Sequence, residues 1–247
     1  MKRLQALVLA AGDGDRMCLP SPDLPKPLLP LAGRPIIARV LDALGAAGVT
    51  HSTIVVGHRG EEIRDAMTHR APRGMSLRFI ENGGYLLGNA RSLWAARSAM
   101  KRNFLLVMAD HLLHASLLRA LTPSAGDRCR LAVDFAAPDD PRAEEATRAL
   151  VREGRVVDLG KEIATWNALD TGAFWGTPRL FDALTPDRRD GELSAVFASL
   201  ARAGELDAAD VSGCPWIDID TPDDLRRAAA MVAPGGALES LAVLGRA

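Results

Sequence analysis

The chain has 247 residues, 48% of them hydrophobic and 25% charged, and a formal net charge of −1. That composition is ordinary for a globular protein, and the balanced charge supplies no basic field to hold nucleic acid. No apolar run reaches the ~18–20 residues that a membrane-spanning helix needs, and no basic stretch leads into an apolar one as in a secretory leader.

Leu4 to Ala10 is a short, almost wholly apolar run bounded by glycine, the pattern of a buried parallel strand. Gly33-Arg34-Pro35 opens a helix in which Ile36, Ile37, Val40, Leu41 and Leu44 share one face, and Gly48 ends it. Strands follow at Ser52 to Gly57, Leu77 to Ile80 and Phe104 to Met108, with helices at Arg59 to His69 and Ser92 to Met100 between them. This alternation predicts a parallel sheet covered on both faces. The second half is less regular. Strands are expected at Arg130 to Phe135, Ala149 to Arg152, Val156 to Leu159, Asp170 to Trp175 and Trp216 to Ile219, the second and third joined by a Glu153-Gly154 hairpin turn. Thr221 to Val232 is a helix with a threonine cap and proline at its first position. The expected fold class is α/β, Rossmann-like and doubly wound, with a mainly parallel, mixed sheet. Residues 1–232 form one domain and 233–247 a tail or short helix.

The three cysteines, Cys18, Cys129 and Cys214, lie far apart with no Cys-x-x-Cys, which argues against zinc or a disulfide framework and for a reducing cytoplasm. The first strand runs into LVLAAGDGDRM, residues 7–17. A glycine turn after a buried strand can aim backbone N–H groups at phosphate. The dinucleotide fingerprint fails because its third glycine is Met17, and a Walker A loop fails because no Gly-Lys-Ser/Thr follows. A nucleotidyl-transfer loop, with its lysine supplied by a later segment, fits Lys26 in Pro25-Lys26-Pro27, which the flanking prolines would hold on an extended arm. From the glycines alone, a tight turn followed by a surface loop explains the stretch equally well.

Acids stand at strand ends. Asp110 follows Phe104 to Met108, and Trp216-Ile217-Asp218-Ile219-Asp220 carries acids at alternate positions, which share a face if the strand continues. Two such carboxylates suit Mg²⁺, which takes one or two of them plus water and phosphate oxygens. Asp110 can instead cap a helix starting near Leu112. Asp220 stands before Thr221-Pro222 and reads as serving the helix start, so Asp218 is preferred as the second metal ligand.

LAAGDGDRM, Pro-Lys-Pro-Leu, Ala-Asp-His after a strand, Asp-Thr-Gly and Trp-Ile-Asp-Ile-Asp together resemble the sugar-phosphate nucleotidyltransferase superfamily. Gly88-Asn89 with Ser92-Leu93, Leu159-Gly160-Lys161-Glu162 and Leu169-Asp170-Thr171-Gly172 make the chain most similar to its inositol-1-phosphate cytidylyltransferases, over roughly residues 1–232. The resemblance implies a single-domain GT-A-like fold and attack of an acceptor phosphate on CTP. Ala10, Ala11 and Gly12, in the turn that Gly14 completes, would meet the nucleotide through the backbone, and Arg16 and Lys26 would bind triphosphate. Asp110 and Asp218 would hold Mg²⁺, Lys161 would grip the acceptor phosphate, and Gly88, Asn89 and Ser92 would read the base. Asp170, Thr171 and Gly172 would belong to the same site. Catalysis then rests on alignment and charge, which explains the lack of a nucleophilic triad.

Phosphocholine and 2-aminoethylphosphonate cytidylyltransferases share the first loop, and Trp166 and Trp175 are candidate walls for a cationic acceptor. Asp15 stands where the family usually has Ser or Thr, which keeps a non-catalytic nucleotide-binding regulator as a rival. Some relatives continue into a membrane-embedded alcohol transferase domain; this chain ends at Ala247, so such a partner is expected to be separate. Leu93 and Trp94 are expected in the core. Tyr85 lines the acceptor pocket or caps a loop, His111 contacts phosphate or is structural, and Arg226 and Arg227 lie on a solvated helix face.

Overall fold

The computed structural model describes residues 4–14, 24–123, 126, 128–137 and 139–239. The first half alternates as expected. β1 (Leu4–Ala10) leads through the glycine turn and a single 3-10 turn at Lys26–Leu28 to a small hairpin, β2 (Pro30–Leu31) and β3 (Arg34–Pro35). Then come α1 (Ile36–Ala46), β4 (Val49–Val56), α2 (Gly60–Thr68), β5 (Ser76–Glu81), α3 (Asn89–Ala95) and β6 (Phe104–Met108). The second half holds β7 (His111–Leu113), α4 (Ala115–Leu121), β8 (Cys129–Phe135), β9 (Arg148–Arg152), β10 (Arg155–Gly160), β11 (Ala168–Gly176), α5 (Leu193–Arg202), β12 (Leu206–Asp210), β13 (Trp216–Asp218) and α6 (Pro222–Val232).

Nine strands form one sheet in the order β5-β4-β1-β6-β11-β8-β12-β10-β9. The pairs β5–β4, β4–β1, β1–β6 and β8–β12 are parallel, and β11 runs antiparallel between β6 and β8. The β9–β10 hairpin turns on Glu153 and Gly154, both at positive φ (51° and 74°), and β9 also pairs with β11 at Ala168↔Ala149.

The sheet divides two apolar layers. Along β1, Ala6, Val8 and Ala10 enter one layer while Leu7 and Leu9 enter the other. Alternate strand residues point to opposite faces, so a run apolar throughout is what a strand covered on both sides requires. The stripe Ile36, Ile37, Val40, Leu41 and Leu44 of α1 packs entirely into the first layer. Leu93 of α3 and Val196 and Phe197 of α5 pack into the second, where Phe197 stacks on Phe174 at 3.9 Å.

β4 lies on one side of β1 and β6 on the other. Such a reversal of strand order opens a crevice beyond the carboxyl ends of the two central strands. Two of the expected elements differ. β13 joins β7 in a separate two-stranded ribbon instead of the main sheet. It ends at Asp218, so Asp220 is not on a continuing strand. The helix expected at Ser92 to Met100 lies earlier, at Asn89–Ala95. Beyond α6 the chain folds back: the Leu238 N–H donates to Met231 O (2.7 Å), and Leu238 is fully buried. Among the described residues, no helix is long and apolar enough to cross a membrane.

Candidate active site

The glycine turn leaves the end of β1 inside this crevice. Ala10 and Ala11 are buried, and the Ala11 carbonyl accepts from the His58 N–H at 3.0 Å. Gly57, just past β4, makes that approach possible, because a Cβ there would lie 2.7 Å from Ala11 O. Gly12 and Asp13 are exposed, and Asp13 faces out as a slot between glycines allows. Gly14, at φ 73°, rests on the later lysine: a Cβ there would sit 3.0 Å from Lys26 Cβ. The two motifs, separate in sequence, are therefore in contact. Asp15, Arg16 and Cys18 lie outside the described residues.

Lys26 is not on an exposed extended arm. It opens the 3-10 turn behind Pro25 and is 8% exposed. Its Nζ donates to Asp110 Oδ2 at 2.6 Å and to Asp220 Oδ1 at 2.7 Å. Burial works against its charge, but the two carboxylates outweigh burial and hold its pKa above the ordinary lysine value. Asp220 thus has a different role from the one expected. Helix α6 is capped by Thr221 in a capping box with Asp224, which frees the Asp220 side chain to reach Lys26. Nor does Asp110 cap the next helix, since His114 does so for α4.

Asp110 is held from both sides, with Oδ1 2.8 Å from His111 Nδ1 and Oδ2 on Lys26. The β7–β13 ribbon sets Asp218 opposite His111, with Oδ1 3.5 Å from the ring nitrogen. The third wall is a bulge in β11, where the register with β8 jumps from Asp170↔Val133 to Phe174↔Leu131. Thr171 is fully buried and donates to Ala132 O at 3.0 Å, while Asp170 Oδ1 accepts from the Gly172 N–H at 2.8 Å. Gly172, at φ 74°, leaves the space that the His111 ring fills; a Cβ would run into the ring. Asp-Thr-Gly is thus the backbone device that seats His111.

Burial resists charge on His111, yet Asp218 and Asp110 prevail and raise its pKa to about 9. Burial pushes both Asp170 and Asp218 up to about 6. Asp110 is only partly exposed, which opposes its charge, but Lys26 and His111 hold its carboxyl well below the usual carboxylate range. Asp110, His111 and Asp218 each bring one ligand atom within 4.8 Å of the others. With its Nδ1 on Asp110, His111 braces that carboxylate, and the oxygens of Asp110 and Asp218 are the hard donors of the cluster. Asp218 Oδ1 is buried with no hydrogen bond and only the longer ionic contact to His111 at 3.5 Å, which leaves lone pairs for a cation. A hard, all-oxygen donor set fits Mg²⁺.

The residues expected to read the base are grouped but largely committed inward. Gly88, at φ 101°, lies so close to Gly191 O that any Cβ would collide with it. Asn89 Oδ1 accepts from the Leu193 N–H at the start of α5. Ser92 is buried, and its Oγ accepts from Asn82 Nδ2 at 3.0 Å. Tyr85 packs edge-on to His58 (6.0 Å) above Gly57, beside the glycine turn. Lys161 is exposed, one residue past β10. Its neighbour Gly160 pairs with Arg148, which pairs with Leu169, so Lys161 emerges at the Asp170 end of β11. Leu93 is in the core, whereas Trp94 is only half-buried under Arg97 (4.1 Å) and Arg189 (5.8 Å). Arg226 and Arg227 pair with Asp223 and Asp224 on their own helix.

Residues 6–203 match the family described as the MobA-like NTP transferase domain. The chain belongs to this family. It is 37% identical over 236 residues to the bifunctional IPC transferase and DIPP synthase of Rubrobacter xylanophilus, covering 92% of this chain and 51% of that protein. It is 30% identical over 246 residues to the CMP-5'-(3-aminopropyl)phosphonate synthase of Streptomyces rubellomurinus, covering 91% of this chain and 38% of that protein. The chain therefore spans about half the length, or less, of these relatives. The solved inositol-1-phosphate CTP transferase from T. maritima superposes with a TM-score of 0.81 at 25% identity, over 100% of this chain and 98% of that one. The fold is the GT-A-like nucleotidyltransferase fold that the motifs implied.

Proposed function

We propose that the chain is a magnesium-dependent cytidylyltransferase that moves CMP from CTP to a phosphorylated alcohol, with inositol 1-phosphate as the leading acceptor. One observation carries the chemistry: at the glycine turn, a buried lysine is clamped between Asp110 and Asp220, beside an Asp218 oxygen that makes no hydrogen bond. A polyphosphate and a divalent ion need such a cation–carboxylate pairing at one sheet edge. The likeness to an inositol-1-phosphate CTP transferase and to an IPC transferase supports the choice of base and acceptor.

In this reading an acceptor phosphate oxygen attacks the α-phosphorus of CTP, and the bond to the β-phosphate oxygen breaks to release pyrophosphate. The acceptor is already anionic, so no side chain needs to remove a proton. Backbone groups of Ala10 to Gly12 position the nucleotide, Lys26 and Arg16 neutralise triphosphate, and Lys161 draws the acceptor phosphate towards the Asp170 end of β11. Asp110 and Asp218 would hold Mg²⁺, which when bound offsets phosphate charge and polarises the α-phosphate. His111 keeps Asp110 oriented, and Gly172 keeps His111 in place. The CDP-alcohol product would pass to an alcohol transferase in the membrane.

A second reading takes an aminoalkylphosphonate as acceptor, and the Streptomyces relative supports it. An aromatic cage for its ammonium finds little support, because Trp175 is buried and Trp166 lies under the Arg148 guanidinium at 5.7 Å. The deciding experiment crosses CTP, UTP, ATP and GTP with a panel of phospho-alcohols and phosphonates and follows pyrophosphate release. CTP with inositol 1-phosphate should give the highest kcat/KM. Absence of pyrophosphate from CTP with every acceptor would overturn the reading.

A further inference from the structure

Lys26 does more than wait for phosphate. Its Nζ is the bridge between Asp110 and Asp220, at 2.6 and 2.7 Å, and the side chain is nearly buried. Two carboxylates held this close to one atom repel each other unless a cation lies between them, and burial weakens the screening that water would provide. Asp110 is also the residue on which the two cation sites overlap. Its Oδ1 faces His111 in the cluster with Asp218, and its Oδ2 is taken by Lys26.

We propose that Lys26 is the resident counter-cation of this carboxylate site, and that a divalent cation must displace its ammonium from Asp110 in order to bind. The inference rests on the metal reading above and adds that lysine and metal compete for one carboxylate. The displaced lysine has somewhere to go. Its stem lies against Gly14, where a Cβ would be 3.0 Å from Lys26 Cβ, so a released Nζ stays beside the glycine turn. That turn is the expected seat of the triphosphate. Exchange would therefore move a positive charge from carboxylate to phosphate as the metal arrives, and at no stage would two carboxylates or a triphosphate lie uncovered. An unloaded enzyme would also hold free metal weakly and load it together with the nucleotide.

The test measures Mn²⁺ binding without nucleotide, by the loss of the free-ion electron paramagnetic resonance signal, in wild type and in Lys26→Met. The variant should bind Mn²⁺ ~10-fold or more tightly, as expected when a buried ionic competitor is removed, while its affinity for nucleotide falls. Equal or weaker Mn²⁺ binding by the variant, with measurable binding by wild type, would overturn the competition and leave the metal reading standing. If neither protein binds Mn²⁺, both readings are overturned. Lys26→Gln, which keeps chain length, repeats the comparison if the methionine variant folds poorly. Melting temperature gives a readout independent of turnover: Mn²⁺ should raise that of either variant by more than it raises wild type, and an equal rise would count against the proposal.

Discussion

Gly172→Ala tests whether the β11 bulge seats His111. The residue sits at φ 74°, and its missing Cβ is replaced by the His111 ring. Alanine in the left-handed region costs roughly 1–2 kcal/mol. Moving the ring breaks the charge-assisted contact between His111 and Asp110, now 2.8 Å. A hydrogen bond to a charged group contributes about 1.5–3 kcal/mol. Together the loss is roughly 3–5 kcal/mol, which for a chain of this size corresponds to a melting temperature lower by roughly 6–20 °C. Turnover should fall by roughly 100-fold or more, because Asp110 loses its brace on one side and small misplacements in an aligned site are costly. Differential scanning calorimetry and pyrophosphate release measure the two effects. Gly83→Ala is the control, since a Cβ there meets nothing within 4 Å and φ is not positive. If Gly172→Ala melts and turns over like Gly83→Ala, then His111 does not depend on the absent Cβ, and the account of Asp-Thr-Gly as its seat is wrong.

Gly12→Ala should separate binding from folding: a Cβ there meets nothing within 4 Å, so the melting temperature should hold while CTP binding, read by calorimetric titration, weakens if the backbone approaches nucleotide. Asp218→Asn should leave the fold intact and raise the Mg²⁺ concentration needed for half-maximal rate by ~10-fold or more, since one of two carboxylates is lost; chelation should abolish the rate in both proteins. Asp224 is nearly buried, yet its pKa is lowered, because donors from Thr221 and Arg227 outweigh the burial that opposes ionisation. A depressed carboxyl contributes stability above its unfolded value near ~4 and loses it as pH falls through the folded value. Urea unfolding should therefore show Asp224→Asn less stable than wild type at pH 7, with the gap closing towards pH 3; a constant gap would refute the linkage.

The elements legible in the sequence are those whose pattern is set by one simple environment. β1 and β6 are covered on both faces, so each is a bare apolar run with unmistakable ends. α1 was legible because its stripe faces a single layer. α5 carries a comparable stripe, Leu193, Val196, Phe197, Leu200 and Ala201, but no side-chain cap marks its start, and the charged approach Asp187-Arg188-Arg189-Asp190-Gly191-Glu192 hides it. The start of α4 was hidden because its cap is a histidine. β13 misled for another reason. Its alternating acids read as one face of a sheet strand, whereas the segment pairs with three residues just beyond β6, and no local pattern reports that partner.

The same division explains the site. Asp110 and the glycine turn follow β6 and β1, where position along the chain already implies position at the sheet edge, and Asp218 ends β13 in the ribbon that continues from Asp110. The role of Asp220 was not readable this way, because proximity to Thr221-Pro222 explains an aspartate without reference to anything distant. Two facts of tertiary structure decide it: Thr221 and Asp224 share the capping between them, and Lys26 is buried where a charged side chain requires partners. A lysine between two prolines looks like an exposed arm only so long as its surroundings are unknown. Once it is buried, its charge demands carboxylates, and the acids that answer come from 84 and 194 residues away. The local motif therefore states which chemistry is available, and the buried charge states which residues must share it. Asp220 joins the cluster through the buried Lys26, whose charge it shares with Asp110.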